Sequence, residues 1–216
     1  MTDFATRRRV MVDTQVRPSD VSKYPIIDAM LRVPRELFVP DSEVEAAYAG
    51  DNLRLSRDRV VLEPRTLAKI LDALGVDADD LVLDIGAGLG YSSAVIARIA
   101  EAVVAVEEDE GLAAEAQSLL GEHADNVLLH IGPLAGGAAA HGPYDAIVIE
   151  GGVSILPDAL TDQLKDGGRI ACIFMEGALG TVRIGWKIDG AITWRFAFNA
   201  SAPVLPGFEK KAAFAF

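Results

Sequence analysis

The feature that most constrains the fold is a glycine-rich turn between an apolar strand and an apolar helix. Residues 81–85 form a β-rich run, residues 84–91 read DIGAGLGY, and residues 91–100 have helical spacing. Glycine lets the backbone turn sharply and approach a ligand more closely than a β-carbon would permit. Open α/β sheets bind nucleotides where a strand passes into a helix. The segment therefore predicts a nucleotide-type ligand at the carboxyl end of this strand.

Short β-rich runs alternate with helical segments after this turn. Further strands are predicted at residues 103–106, 127–130, 146–149 and 169–174, and further helices at residues 112–120 and 158–164. Such alternation is typical of parallel βαβ units, and right-handed crossovers place helices on both faces of the sheet. We therefore predict an α/β, Rossmann-like fold with a mostly parallel, twisted sheet.

The N-terminal part of the chain does not share this alternation. Residues 1–40 have helical spacing that is interrupted around Pro18, and residues 41–64 are irregular. A helix at residues 66–74 is predicted to end at Gly75, because glycine is the preferred residue just beyond a helix. This part is expected to form a helical cap.

The C-terminal part is predicted to form antiparallel strands. Residues 181–188 and 192–198 are strand-like and flank Asp189-Gly190, a hairpin signal. Residues 214–216 are a candidate edge strand. We expect one compact domain, in which residues 1–75 form the cap and acceptor-side segment and residues 76–216 form the cofactor-binding core.

The glycine-rich turn fits S-adenosylmethionine better than a dinucleotide. The NAD fingerprint G-x-G-x-x-G would need glycine at position 91, where Tyr91 stands. The carboxylate of Asp84 would repel a diphosphate but attract a cationic ligand. S-adenosylmethionine has no phosphate and carries a sulfonium and an amino group, so it is the predicted cofactor. No cluster of metal-ligating residues stands out, and no metal site is predicted.

Two further segments are expected to contact this cofactor. Glu107 ends the second strand, where an acid accepts hydrogen bonds from ribose hydroxyls, although it also begins an acidic run. Residues 132–134 follow the third strand, either as an adenine contact or as a plain loop. The predicted cofactor-binding residues are Asp84, Gly86, Ala87, Gly88, Gly90, Tyr91, Glu107, Glu108, Gly132, Pro133 and Leu134.

Composition limits the classes of binding partner and the cellular compartment that we expect for this protein. The formal net charge is −12, which disfavours a general nucleic-acid binder, because phosphate backbones require basic faces. The N-terminus lacks the apolar stretch of a signal peptide, and no run of apolar residues is long enough to span a membrane. The single cysteine, Cys172, lies in an apolar run and is expected to be a buried hydrophobe. A soluble, cytoplasmic protein without a membrane partner is expected.

Most of residues 10–175 resemble the protein-L-isoaspartate O-methyltransferase family. The string Val-Pro-Arg-Glu-x-Phe-Val at residues 33–39 is specific to this family, whereas the glycine motif is shared by many methyltransferases. Other matching segments are residues 11–12, 29–30, 47–48, 82–91, 106–107, 144–147, 163–164 and 167–168. The resemblance implies methylation of isoaspartyl carboxylates in damaged proteins, with S-adenosylmethionine as the methyl donor.

The chain departs from the family pattern near the expected acceptor. Leu62 stands where the family has the serine of a Thr-Ile-Ser segment, and residues 132–134 and 150–152 replace a Gly-Asp-Gly and a Thr-Ala-Ala. The candidate catalytic residues are Leu62, Glu63 and Glu150. An isoaspartyl carboxylate is already ionised at neutral pH and needs no general base.

Two other functions remain open on the sequence. One is a methyltransferase of the same lineage with a hydroxyl or amine acceptor, for which Glu63 or Glu150 could serve as the base. The other is a protein that binds S-adenosylmethionine without turning it over.

Overall fold

A seven-stranded, mostly parallel sheet forms the centre of the protein. The computed structural model describes residues 3–210, so the strand predicted at residues 214–216 lies outside the described residues. The α-helices are α1 Phe4–Met11, α2 Tyr24–Arg32, α3 Pro64–Leu74, α4 Tyr91–Ile96, α5 Glu110–His123 and α6 Asp158–Asp162. The strands are β1 Leu53–Arg54, β2 Val60–Val61, β3 Leu81–Ile85, β4 Ala102–Glu107, β5 Val127–Ile131, β6 Tyr144–Val153, β7 Leu164–Glu176, β8 Leu179–Ile188 and β9 Ala191–Asn199.

The strand order places the glycine-rich turn at a topological switch point. Across the large sheet the order is β5-β4-β3-β6-β7-β8-β9, with parallel pairing from β5 through to β7. The chain moves outward from β3 to β5 and then returns to the other side of β3 as β6. Ligand crevices of open α/β sheets lie outside the carboxyl ends of the strands at such a reversal. The predicted Rossmann-like fold is confirmed.

The predicted C-terminal antiparallel hairpin is also confirmed. Strand β8 pairs antiparallel with both β7 and β9. Asp189 and Gly190 have φ values of 51° and 77°, so both occupy the left-handed region that a tight hairpin turn requires.

The two faces of the sheet carry separate cores, because successive strand residues point to opposite faces. On one face, Val82, Val103 and Val148 belong to an apolar cluster that includes the N-terminal region and helices α2 to α5. On the other, Leu83 and Val104 belong to a cluster that includes α6 and the C-terminal residues 205 and 208. The N-terminal helical cap therefore packs onto one face of the sheet.

Two predicted helices end earlier than their apolar pattern suggested. Helix α4 ends at Ile96 rather than at residue 100, because the chain tightens into turns in which Ile99 donates to the carbonyl of Ile96 at 2.8 Å. Helix α6 ends at Asp162 rather than at residue 164, because Leu164 already pairs with Tyr144 as the first residue of β7.

The C-terminal segment, residues 202–208, lies alongside the end of β6, which the sequence did not predict. The amide of Gly152 donates to the carbonyl of Pro203 at 2.8 Å, and the amide of Leu205 donates to the carbonyl of Gly152 at 2.9 Å. The ring of Phe208 is fully buried. These contacts bring Leu205 to the carboxyl edge of the sheet.

Gly152→Ala is expected to lower the free energy of unfolding by about 1–3 kcal/mol, because a side chain there overpacks the contact between β6 and the C-terminal segment. A β-carbon on Gly152 would lie 2.6 Å from the carbonyl oxygen of Ala202. Gly121→Ala is the control, since nothing lies within 4 Å of the equivalent position in helix α5. Urea denaturation of both variants measures the difference, and equal stabilities would contradict the described contact.

Candidate functional site

Asp84 is the residue before the last one of the central strand β3, and it is fully buried. Its Oδ2 accepts hydrogen bonds from the hydroxyls of Ser92 at 2.7 Å and Ser93 at 2.5 Å, which tie β3 to the start of α4. Its Oδ1 has no hydrogen-bond partner among the described residues. Burial raises the pKa of Asp84 to about 6, against the two serine hydrogen bonds that lower it. Asp84 therefore offers one unpaired carboxylate oxygen at the switch point.

Glu107 ends the neighbouring strand β4, and both of its oxygens are already bound. Arg59 forms a two-pronged ion pair with it, with N–O distances of 2.6 and 2.5 Å. Backbone amides of Gly88, Glu108 and Asp109 donate to the same carboxylate at 2.7, 3.0 and 3.0 Å. Glu107 is 0% exposed and Arg59 is 4% exposed. The predicted ribose acceptor is thus held in place by the backbone and covered by an arginine.

Glu150 lies near the end of β6, on the other side of β3. It is 4% exposed, and its Oε1 has no hydrogen-bond partner among the described residues. Burial and the neighbouring charge of Asp84 raise the pKa of Glu150 well above its ordinary value, although Arg35 and Arg59 oppose the shift. Glu150 therefore binds a proton more readily than an ordinary glutamate does.

The glycine-rich turn is covered by two leucines from other parts of the chain. A β-carbon on Gly86 would meet Leu205 at 3.3 Å and Arg59 at 3.4 Å. A β-carbon on Gly88 would collide with Leu55. Gly86 and Gly88 have φ values of 83° and 59°, which glycine adopts without strain. The turn has the predicted shape, and the chain's own side chains lie against it.

The remaining predicted turn residues pack toward the core. Ala87 is 6% exposed, and a β-carbon on Gly90 would lie 3.0 Å from Leu120 of helix α5. The ring of Tyr91 is buried, with the guanidinium of Arg35 4.5 Å from its centroid. Gly90 and Tyr91 thus fix how the helices pack beside the turn.

The predicted adenine side of the site is an open cleft. A cavity of 590 Å³ lies between the ends of β4 and β5, and it is lined by Glu108, Asp109, Glu110, Ile131, Gly132 and Pro133. The side chain of Leu134 lies elsewhere, fully buried in the core of the second face. Its amide is 3.4 Å from a carboxylate oxygen of Glu108. Three of the predicted residues, Glu108, Gly132 and Pro133, therefore share this cleft.

The two candidate catalytic residues before helix α3 have structural contacts. Leu62 is fully buried, and its carbonyl accepts a 2.8 Å hydrogen bond from Arg35. Glu63 precedes α3 and accepts a 2.6 Å hydrogen bond from the hydroxyl of Thr66. The side chain at position 62 thus packs in the core.

Sequence reasoning missed the three side chains that cover the site. Leu55 and Arg59 flank the tip of the hairpin formed by β1 and β2, and Leu205 belongs to the C-terminal segment. None of them stands in a periodic pattern or a recognisable motif. A lone arginine in an irregular stretch gives no sign of its partner, which here is 48 residues away.

Residues 3–210 contain neither a candidate metal site nor a helix that could span a membrane. Within residues 3–210, no group of three or more histidine, cysteine, aspartate or glutamate side chains is placed to hold a metal ion. No helix in that range combines the length and apolar character needed to cross a membrane.

Comparison with known families decides the lineage of this site. A family model described as Protein-L-isoaspartate(D-aspartate) O-methyltransferase (PCMT) matches residues 7–178. The chain belongs to this family. A PCMT-family relative from Roseiflexus castenholzii, named protein-L-isoaspartate O-methyltransferase, is 37% identical over 169 residues, which cover 78% of this chain and 77% of the relative. A relative from Pelobacter propionicus, named protein-L-isoaspartate O-methyltransferase 1, is 32% identical over 195 residues. These residues cover 88% of this chain and 91% of the relative.

Solved structures show that the PCMT fold extends over nearly the whole chain. A protein-L-isoaspartate O-methyltransferase superposes with a TM-score of 0.82 at 24% identity, covering 93% of this chain and 66% of the other. A Plasmodium falciparum protein described as PCMT, in complex with S-adenosyl-L-homocysteine, superposes with a TM-score of 0.79 at 17% identity. The superposition covers 95% of this chain and 99% of the other. At these identities the structures show the fold alone.

Proposed function

We propose that this PCMT-family protein transfers the methyl group of S-adenosylmethionine to the carboxylate of isoaspartyl residues in damaged proteins. The observation that carries the proposal is the family match over residues 7–178, which includes both strand-end acids of the crevice. Curated relatives that share most of their length with the chain are named for this activity. The expected partner is therefore an isoaspartyl-containing protein or peptide.

The residues of the crevice fit the proposed cofactor chemically. Glu107 lies where it can accept hydrogen bonds from ribose hydroxyls once Arg59 has moved away. Asp84 and Glu150 each have a buried carboxyl oxygen without a partner in the described residues, close to where a cationic methionine part would lie. The cleft beside Gly132 is open to the adenine. When bound, the cofactor supplies an electrophilic methyl group on a sulfonium.

The raised pKa of Glu150 weakens its repulsion of a carboxylate acceptor. An ionised Glu150 would repel an incoming carboxylate, but burial raises the pKa of Glu150 and so favours its protonated form. A protonated carboxyl group donates a hydrogen bond and can therefore orient an anionic acceptor. Because the acceptor is already ionised, positioning and exclusion of water account for the acceleration, and no base is required.

A different acceptor is the second candidate, and position 62 is the observation that favours it. Leucine stands at this position, where the family usually has a serine, and the leucine side chain is buried. It offers no hydroxyl to an isoaspartyl carboxylate. A hydroxyl or amine acceptor would have to be deprotonated, and Glu150 is the buried carboxyl group available as a base.

Incubation with labelled S-adenosylmethionine and an isoaspartyl peptide tests the proposal. We expect a base-labile methyl ester on this peptide and none on the matched peptide with ordinary aspartate. Binding of S-adenosylmethionine without ester formation would reject the isoaspartyl acceptor but retain the cofactor. Failure to bind would reject the cofactor as well.

Affinity for S-adenosylmethionine is expected to rise between about pH 5 and pH 7. The raised pKa of about 6 means that Asp84 loses its proton in this window, and the carboxylate then attracts the cationic ligand. The rise approaches about tenfold per pH unit below that pKa if one proton is coupled to binding. Calorimetry without acceptor measures it.

Asp84→Asn is expected to flatten this pH profile, because the amide does not titrate. Asp79→Asn serves as the matched control, since Asp79 is exposed and lies outside the crevice. A profile that is equally steep in Asp84→Asn would show that Asp84 is not the titrating group.

The cytoplasmic location and the lack of a nucleic-acid partner stay predictions from composition.

A further inference from the structure

The crevice that should hold the cofactor is filled by side chains from two segments of the chain. The first segment is the covering hairpin, residues 53–61, in which β1 and β2 pair antiparallel. It places Leu55 on Gly88 and Arg59 on Glu107. The second is the C-terminal segment, residues 202–208.

Leu205 of the C-terminal segment covers the part of the crevice between β3 and β6. It is 1% exposed. A β-carbon on Gly151 would lie 2.5 Å from its side chain, and one on Gly86 would lie 3.3 Å from it. These two glycines flank the switch point, so Leu205 lies where the sulfonium end of an adenosine ligand is expected.

The ion pair with Arg59 uses the hydrogen-bonding capacity that a ribose would need. Two guanidinium nitrogens bind the two oxygens of Glu107 in parallel, as two adjacent hydroxyls of a ribose would. The backbone amides that also bind Glu107 orient the carboxylate without Arg59. Arg59 and a ribose therefore cannot occupy Glu107 together.

The two covering segments are linked to each other. Asn52, next to the covering hairpin, donates to the carbonyl of Ser201 at 2.9 Å and accepts from the amide of Glu63 at 2.8 Å. One side chain thus joins the base of the covering hairpin to the chain just before the C-terminal segment. Movement of one segment is therefore expected to affect the other.

The covering hairpin has the properties of an element that can open. Its strands are two residues each, and two-stranded hairpins are marginally stable in water. Residues 56–58 at its tip are exposed. The closed arrangement also leaves Nε of Arg59 and Oδ1 of Asp84 buried without a partner in the described residues. Such unpaired groups make a closed state costly and an exchange for ligand contacts favourable.

We propose that the covering hairpin and the C-terminal segment are an autoinhibitory closure, in which Arg59 competes with the ribose of S-adenosylmethionine for Glu107. The inference rests on the proposed cofactor. Binding then requires the closed state to open, so the apparent affinity is reduced by the fraction of molecules that are open. The adenine cleft stays accessible in the closed state and offers a first contact.

Calorimetric titration of the full chain with S-adenosyl-L-homocysteine tests the closure. Arg59→Ala should bind at least about tenfold more tightly than the unaltered chain, because the competing guanidinium is gone. Arg57→Ala removes an exposed arginine from the same hairpin and should leave the affinity unchanged. The inference is overturned if circular dichroism shows that Arg59→Ala is folded and this variant binds no more tightly than the unaltered chain.

A second variant and a rate measurement keep the test independent of how well Arg59→Ala folds. Leu205→Ala should also bind more tightly, whereas Leu179→Ala, at an exposed leucine, should not. In rapid mixing, the observed rate for the unaltered chain should level off at high ligand concentration, because opening of the closed state then limits the rate. A rate that keeps rising linearly, together with unchanged affinity in Leu205→Ala, would overturn the closure.

The failure of the closure and the failure of the proposed cofactor are distinguishable. If the unaltered chain binds S-adenosyl-L-homocysteine and neither variant binds more tightly, the cofactor stands and the closure is wrong. If neither the unaltered chain nor any variant binds, the cofactor assignment is wrong and the closure falls with it. Binding by Arg59→Ala alone would support both, with the closed state dominant in the unaltered chain.

Discussion

Glu107→Ala is expected to lose about 3–5 kcal/mol of folding free energy and most of the affinity for S-adenosylmethionine. The loss of stability follows because Arg59, 4% exposed, would be left as a buried charge without its partner. The loss of affinity, about 1–3 kcal/mol, follows because a charged hydrogen-bond acceptor for the ribose disappears. Urea denaturation measures the first effect, and calorimetry measures the second.

A double variant separates the two roles of Glu107. Adding Arg59→Ala to Glu107→Ala removes the stranded guanidinium, so part of the stability should return while the affinity stays low. Glu122→Ala, at an exposed glutamate of helix α5, should change stability by no more than about 0.5 kcal/mol. If the double variant is as unstable as Glu107→Ala, the ion pair does not account for the loss.

Arg35→Met is expected to lower the free energy of unfolding by about 3 kcal/mol or more, because it leaves buried carbonyls without a donor. The guanidinium of Arg35 is fully buried and donates to the carbonyls of Ala47 and Leu62, each at 2.8 Å. It also stacks on the ring of Tyr91. For a chain of this length the melting temperature should fall by about 6–12 °C.

Arg32→Met is the matched control for Arg35→Met. Arg32 ends helix α2 and pairs with Asp28 on the surface at 2.8 Å. Exposed ion pairs of this kind contribute about 0.5 kcal/mol. Equal melting temperatures for the two variants would contradict the assigned role of Arg35, which is to connect the segment before helix α3 to the rest of the fold.

The fold was predictable because the pattern that specifies it is local. Each strand from β3 to β9 contains an apolar or alternating run, and the hairpin turn at Asp189-Gly190 has its own residue signal. Errors fell at the ends of elements: turns replace the last residues of two predicted helices, and β6 and β7 are longer than predicted. Helix α4 stops at Ile96 although apolar spacing continues, because hydrogen bonding and not hydrophobicity sets the end of a helix.

The site was predictable only in part, for a different physical reason. Asp84 and Glu107 are placed by strands that the sequence identifies, so their burial at adjacent strand ends follows from topology. Arg59 and Leu205 reach the same point from segments without periodicity, and only tertiary packing brings them there. A prediction from spacing therefore finds the two strand-end acids and misses the side chains that cover them.

The most direct test of the account is a crystal structure of the full chain grown with saturating S-adenosyl-L-homocysteine. The account predicts the ribose hydroxyls on the carboxylate of Glu107, with the guanidinium of Arg59 withdrawn and Leu205 displaced from Gly86. A structure in which Arg59 still binds Glu107, and the nucleoside is absent or bound elsewhere, would contradict it.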